Sequence, residues 1–192
     1  MSGMRTFLVT TFCALLLETA LVAAEVGKPS PALTIQRVNG PALQLSQYKG
    51  KVVAFVFIDT ECPHCQRLTG LLNTIIKQFE GKPLQVVACA MNPQAPQRLP
   101  LFTQQFQPAF PVGYCTREQV YAYTGFSEAS GKPFYVPHMV FLDRRGIVRG
   151  DYPGESDFMQ KPDTNIPAKL DELLKAGTTS VAAGKQTTSP RP

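Results

Sequence analysis

Cys62-Pro63-His64-Cys65 holds the residues of this chain best suited to chemistry. Two thiols at that spacing can close on each other, exchange a disulfide with a partner, or bind a soft metal ion. Which of these they do depends on their setting. Before them runs Val52-Val53-Ala54-Phe55-Val56-Phe57-Ile58, an unbroken apolar segment between Lys51 and Asp59. After them Leu68, Leu71, Leu72, Ile75, Ile76 and Phe79 recur at helical spacing. The first pattern predicts a strand over 52–58 buried on both faces, and the second an amphipathic helix over about 63–79. Cys62 therefore opens a helix at the end of a buried strand. Free N–H groups and the positive dipole end at such a position favour thiolate over thiol, and a protonated His64 adds charge of the same sign. An inert structural bridge seldom opens a helix, because that position activates sulfur. The motif reads as a redox-active dithiol.

The remainder of the 192 residues must place that dithiol, and 44% apolar content is ample for one packed domain. Residues 1–24 are set apart: Arg5, then Phe7-Leu8-Val9 and Leu15-Leu16-Leu17, then Val22-Ala23-Ala24 before Glu25. That order predicts a secretory signal peptide. An uncleaved membrane anchor is the rival reading, weakened by Glu18 and by a run short of the ~20 apolar residues a span needs. Cys13 follows Phe12, where a lipoprotein box would want a small residue. Export predicts a periplasmic or otherwise extracytoplasmic, oxidising location, with a tether if the segment is retained. Losing residues 1–24 removes Arg5 and Glu18 and leaves the net charge at +5. No basic run exceeds Arg144-Arg145, so no nucleic-acid partner is expected. Residues 176–192, rich in Thr, Ser, Ala, Gly and Pro, are expected to be disordered, which leaves 25–175 as the ordered domain.

Within that domain, 33–38 and 43–45 read as short strands around the turn Asn39-Gly40. Gly81 and Pro83 end the helix that the cysteines open, and Leu84 to Met91, containing Cys89, reads as a second apolar strand. A short helix is expected after Pro100, with Leu101, Phe102 and Phe106 as its apolar side. Phe110 to Cys115 follows as a strand, and Thr116 with Gln119 forms a capping box for a helix ending near Gly125. Two strands, Met139–Leu142 and Ile147–Arg149, flank Asp143-Arg144-Arg145-Gly146, a type I turn pattern. A last helix over about 166–175 turns Leu170, Leu173 and Leu174 inward. Strands alternating with helices, then a closing hairpin and helix, specify an α/β sandwich.

These pieces, in this order, resemble the thioredoxin-like fold, and within it the exported TlpA/ResA-type redoxins. The resemblance runs from Val26-Gly27-Lys28-Pro29-Ser30-Pro31 and Gly50-Lys51 through the cysteine helix and Phe110-Pro111-Val112 to Val136-Pro137-His138-Met139-Val140-Phe141-Leu142-Asp143 and Gly146. It implies a three-layer sandwich: a central mixed β-sheet flanked by helices, with an N-terminal hairpin and a central αβ insertion. It implies that Cys62 is the attacking thiol and Cys65 the buried resolving thiol. Pro137 would be a cis-proline which, with Val136, holds the substrate backbone. Pro63-His64 and the Val before Pro137 resemble DsbA, the oxidising relative, although the helical insertion of DsbA is missing. Two departures stand out. Glu61 replaces the usual Trp, and Val56 occupies the place of a buried carboxylate that would take the Cys65 proton, leaving Asp59 and Glu61 as substitutes.

The function so implied is exported thiol–disulfide oxidoreductase, an enzyme needing no cofactor or metal. Protein thiols and disulfides would be its substrates, a membrane redox partner would recycle it, and it would be a monomer. The main alternative is an SCO-like copper chaperone, with Cys62, Cys65 and His138 as ligands. SCO-type cysteines have three residues between them, however, where this chain has two, and the Pro137 ring would crowd the third ligand. A thiol peroxidase is a further alternative, disfavoured because Thr60 lies two residues before Cys62 where peroxiredoxins want three. The implied topology makes the strands of Cys89 and Cys115 neighbours. A second disulfide could form near their ends, but buried free thiols are the expectation, since pairs between adjacent strands need unfavourable geometry.

Overall fold

Seven consecutive apolar residues leave a strand no solvent face. In the computed structural model, Val52–Ile58 (β3) is accordingly the middle strand of a five-stranded sheet, with every residue buried. The structure describes residues 23–183, with side chains as far as 176. Leu84–Ala90 (β4) runs parallel to β3 on one side, and His138–Leu142 (β6) antiparallel on the other. Val112–Tyr114 (β5) and Val148–Tyr152 (β7) are the edges, giving the mixed order β5-β4-β3-β6-β7. Thr34–Ile35 (β1) and Leu43–Gln44 (β2) form the N-terminal hairpin. Gln36 fastens it to β5 through reciprocal backbone bonds with Tyr114 of 2.9 and 2.8 Å.

Because strand side chains alternate between faces, β3 feeds two cores. Val52, Ala54, Val56 and Ile58 pack under Pro63–Gln78 (α1), Ala95–Phe106 (α2) and Pro162–Ala183 (α5). Val53, Phe55 and Phe57 pack on the other face with Ile35, Leu43 and Arg117–Thr124 (α3). A short helix, Asp157–Gln160 (α4), joins β7 to α5. This is the thioredoxin-like α/β sandwich.

Several elements differ in extent from their sequence patterns. α2 begins at Ala95, not after Pro100, because Ala95 and Leu99 bury the same face as Phe102. Leu101 lies off that face and is 57% exposed. Pro96 sits in the first turn, where a missing N–H is harmless. α5 starts four residues before Ile166 and continues past 175 to Ala183. The capping box of α3 is present, and Gly125 closes that helix in the left-handed conformation at φ 69°. The expected signal peptide lies outside the described residues except for Ala23 and Ala24. Among the described residues no helix is long and apolar enough to cross a membrane.

Cys89 and Cys115 are joined in a disulfide, which corrects the expectation of free thiols. Cys89 is in register with Gly113, so Cys115 is its diagonal neighbour on the same face, one residue past the end of β5. The Cys115 N–H still donates to the Ala90 carbonyl at 3.0 Å, and a Cα separation of 6.2 Å falls within bridging range.

Candidate active site

β3 ends in a tight loop that hands the chain to α1. The Asp59 carboxylate accepts the Glu61 N–H at 2.7 Å, and the Cys62 N–H reaches the Asp59 carbonyl at 3.2 Å. Thr60, the buried residue between them, is held from outside the loop. Its N–H donates to Asn92 Oδ1 at 3.1 Å, its hydroxyl accepts from Asn92 Nδ2 at 2.9 Å, and its carbonyl accepts from Gln66 Nε2 at 3.0 Å. Cys62 is thereby fixed as the N-cap of α1, with Pro63 as the first helical residue. Pro63 suits that place, having φ preset and no N–H to waste.

The two sulfurs have different surroundings. Cys62 is half-buried, and Cys65 is fully buried in the core beneath α1. Burial pushes the Cys65 thiol well above its ordinary value. Charge on Cys62 and Asp59 pushes the same way, against a lowering contact from the Asp59 N–H, whose nitrogen lies 3.4 Å from the sulfur. Cys65 is thus a poor acid. Of the two candidate carboxylates, Asp59 acts on Cys65 through its charge, whereas Glu61 pairs with Arg98 at 3.3 Å.

Facing Cys62 is the segment before β6. The Val136–Pro137 peptide bond is cis, and the Val136 carbonyl oxygen lies 4.0 Å from Cys62 Sγ. Cys62, Cys65, Pro63, Val136 and Pro137 are therefore gathered at one end of the sheet. His64 is exposed on α1, and its Nδ1 accepts from Arg67 Nη2 at 3.0 Å. Arg67, which is always charged, places a fixed positive charge in the first turns of α1.

A family model described as "AhpC/TSA family" matches residues 26–150. The chain belongs to the AhpC/TSA family. "Thiol-disulfide oxidoreductase ResA" of Bacillus thuringiensis subsp. konkukian is 25% identical over 88 residues, 46% of this chain and 50% of that protein. The chain thus spans about half the length of the curated relatives it matches. Among solved structures, a thiol:disulfide interchange protein of the thioredoxin family from Chlorobium tepidum aligns with TM-score 0.63 and 21% identity, over 79% of this chain and 99% of that one. A putative protein disulfide isomerase from Bacteroides thetaiotaomicron aligns at 0.64 and 18%, over 82% and 94%. At these identities the structures establish the fold.

One site residue of this AhpC/TSA family chain is not where the metal alternative needs it. His138 is in register with Phe57, so it points to the sheet face away from Cys65. Met139 takes the dithiol side, and strand alternation turns its neighbour the other way. His138 Nε2 bonds the Asp151 carboxylate, and its ring stacks on Phe134 at 5.1 Å. Among the described residues no three His, Cys, Asp or Glu side chains converge as a metal site would require. The peroxidase alternative gains nothing from Thr60, whose hydroxyl is bound to Asn92. Asn92 and Gln66 are site-shaping residues that no spacing in the sequence picks out.

Proposed function

We propose that this protein is an exported thiol–disulfide oxidoreductase exchanging disulfides with protein substrates through Cys62 and Cys65. One observation carries the reading: a half-buried Cys62 sulfur opens α1 above a buried Cys65 and 4.0 Å from the Val136 carbonyl. The similar proteins named as thiol–disulfide oxidoreductases support it.

In the reduced form, the Cys62 thiolate attacks a substrate disulfide, and the displaced substrate sulfur leaves with the electron pair. Cys65 then attacks Cys62 Sγ, releases the second substrate sulfur and closes the 62–65 disulfide. The oxidised form runs the same steps backwards, accepting two electrons. Cys65 must shed its proton to attack, and Asp59 is the adjacent acceptor that stands in for the carboxylate missing at Val56. Val136 and Pro137 hold the substrate backbone against Cys62. No cofactor is needed, and a membrane redox partner recycles the monomeric protein.

With Pro63-His64 between the sulfurs, the couple belongs on the oxidising side. A glutathione titration should find a two-electron couple nearer about −120 mV than about −270 mV. A value near the lower figure would reverse the direction and make the protein a dedicated reductant. Absence of a two-electron couple, or peroxide consumption without any protein disulfide, would overturn the exchange reading.

A further inference from the structure

Beside the dithiol lies a pocket of about 520 Å³, bounded by α1, the cis-proline segment and the β7–α4 connection. Its floor is apolar, made by Leu68, Leu71, Val136, Pro137 and Met159, with the half-exposed Tyr135 at the rim. The wall on the α1 side is cationic. Arg67 and His64 line it joined by their 3.0 Å hydrogen bond, and among the described residues no carboxylate lies within ion-pair distance of Arg67. Glu155, from the β7–α4 connection, lines the far wall, also without an ion-pair partner among the described residues. Gly154 lets the β7–α4 connection close the pocket against the proline segment. A Cβ there would come within 3.2 Å of the Pro137 carbonyl oxygen and 3.3 Å of the Tyr135 Cβ.

Position decides what such a pocket takes. Val136, which forms part of the floor, is also the residue whose carbonyl oxygen faces Cys62 Sγ at 4.0 Å. A partner chain joined to Cys62 through its own sulfur and extended at roughly 3.3 Å per residue must cross the pocket within two or three residues. We propose that the pocket selects the partner protein by seating that extended segment, with a large apolar side chain on the floor and an acidic side chain against Arg67. Glu155 orients the segment, because it repels acid from the far wall. The inference deepens the exchange reading and rests on it.

The test uses four mixed-disulfide peptides, each a cysteine joined to thionitrobenzoate and flanked by Leu-Asp, Leu-Lys, Gly-Asp or Gly-Lys. Attack by the Cys62 thiolate forms a bond to the peptide sulfur, and thionitrobenzoate leaves with the electron pair, giving a coloured product. Each rate is divided by the rate of the same protein with dithiobis-nitrobenzoate, which has no peptide to recognise. The Leu peptides should react about tenfold faster than their Gly counterparts. Asp should beat Lys about threefold. Arg67→Glu should reverse the Asp-over-Lys order while keeping the Leu-over-Gly order. Equal normalised rates for all four peptides, or an Asp preference that survives Arg67→Glu, would overturn the pocket's role and leave the dithiol chemistry standing. Failure to react even with dithiobis-nitrobenzoate would remove the exchange reading and this inference together.

Discussion

Cys65 is defined by what its burial denies it. A thiolate there would have no water, and the nearby Cys62 and Asp59 charges would repel it, so the neutral thiol is favoured. The folded-state value is raised above the ordinary 9.0, so ionisation that begins near pH 9 in the unfolded chain is deferred to higher pH in the folded one. Folding stability from this group is therefore complete below that ordinary value and declines above it. In Cys62→Ser, which removes the competing thiol, native Cys65 should resist iodoacetamide through pH 9, while the denatured protein is modified at the normal rate. Mass spectrometry of the quenched protein checks it, and equal native and denatured rates at pH 8 would contradict the burial argument. At this scale the sequence was informative about identity and silent about direction. The Cys62–Cys65 spacing marks the chemistry, but the side of the sheet that His138 faces depends on strand register, which no single residue reveals.

The elements around the site carry the next level of control. β3 and α1 were legible because burial imposes periodicity: seven apolar residues for a strand with no wet face, and repeats of three and four for a half-buried helix. The loop between them was not legible, because what holds it is a side chain 32 residues away. Asn92 gives Thr60 both a carbonyl acceptor and an amide donor in a buried setting, so the start of α1 depends on the second residue past the end of β4. Removing it strands the buried Thr60 N–H. Asn92→Ala should cost about 1–3 kcal/mol of folding stability, read as a lower urea midpoint with an unchanged slope. The same variant should slow exchange with protein disulfides, since Cys62 is the N-cap that this loop delivers. Unchanged stability would mean that water replaces Asn92 at no cost, and the loop would need another anchor.

Across the whole molecule the sheet separates two kinds of sulfur chemistry. The dithiol lies with the core that α1, α2 and α5 cover, while the Cys89–Cys115 disulfide lies with the core shared by the N-terminal hairpin and α3. That second bridge was missed because its diagonal placement emerges only from the β4–β5 register and the end of β5. It ties neighbouring strands across a separation of 26 residues, so its main effect is to restrict the unfolded chain. The loop-closure relation puts that restriction at about 3.5 kcal/mol. The Cys89→Ala/Cys115→Ala double variant should therefore unfold at lower urea, by about that amount, under oxidising conditions. Its 62–65 reduction potential should match that of the parent protein, because the two pairs belong to cores on opposite faces of the sheet. A potential that moved with the second disulfide would mean that the sheet transmits strain between its faces, and the two pairs would then form one redox system.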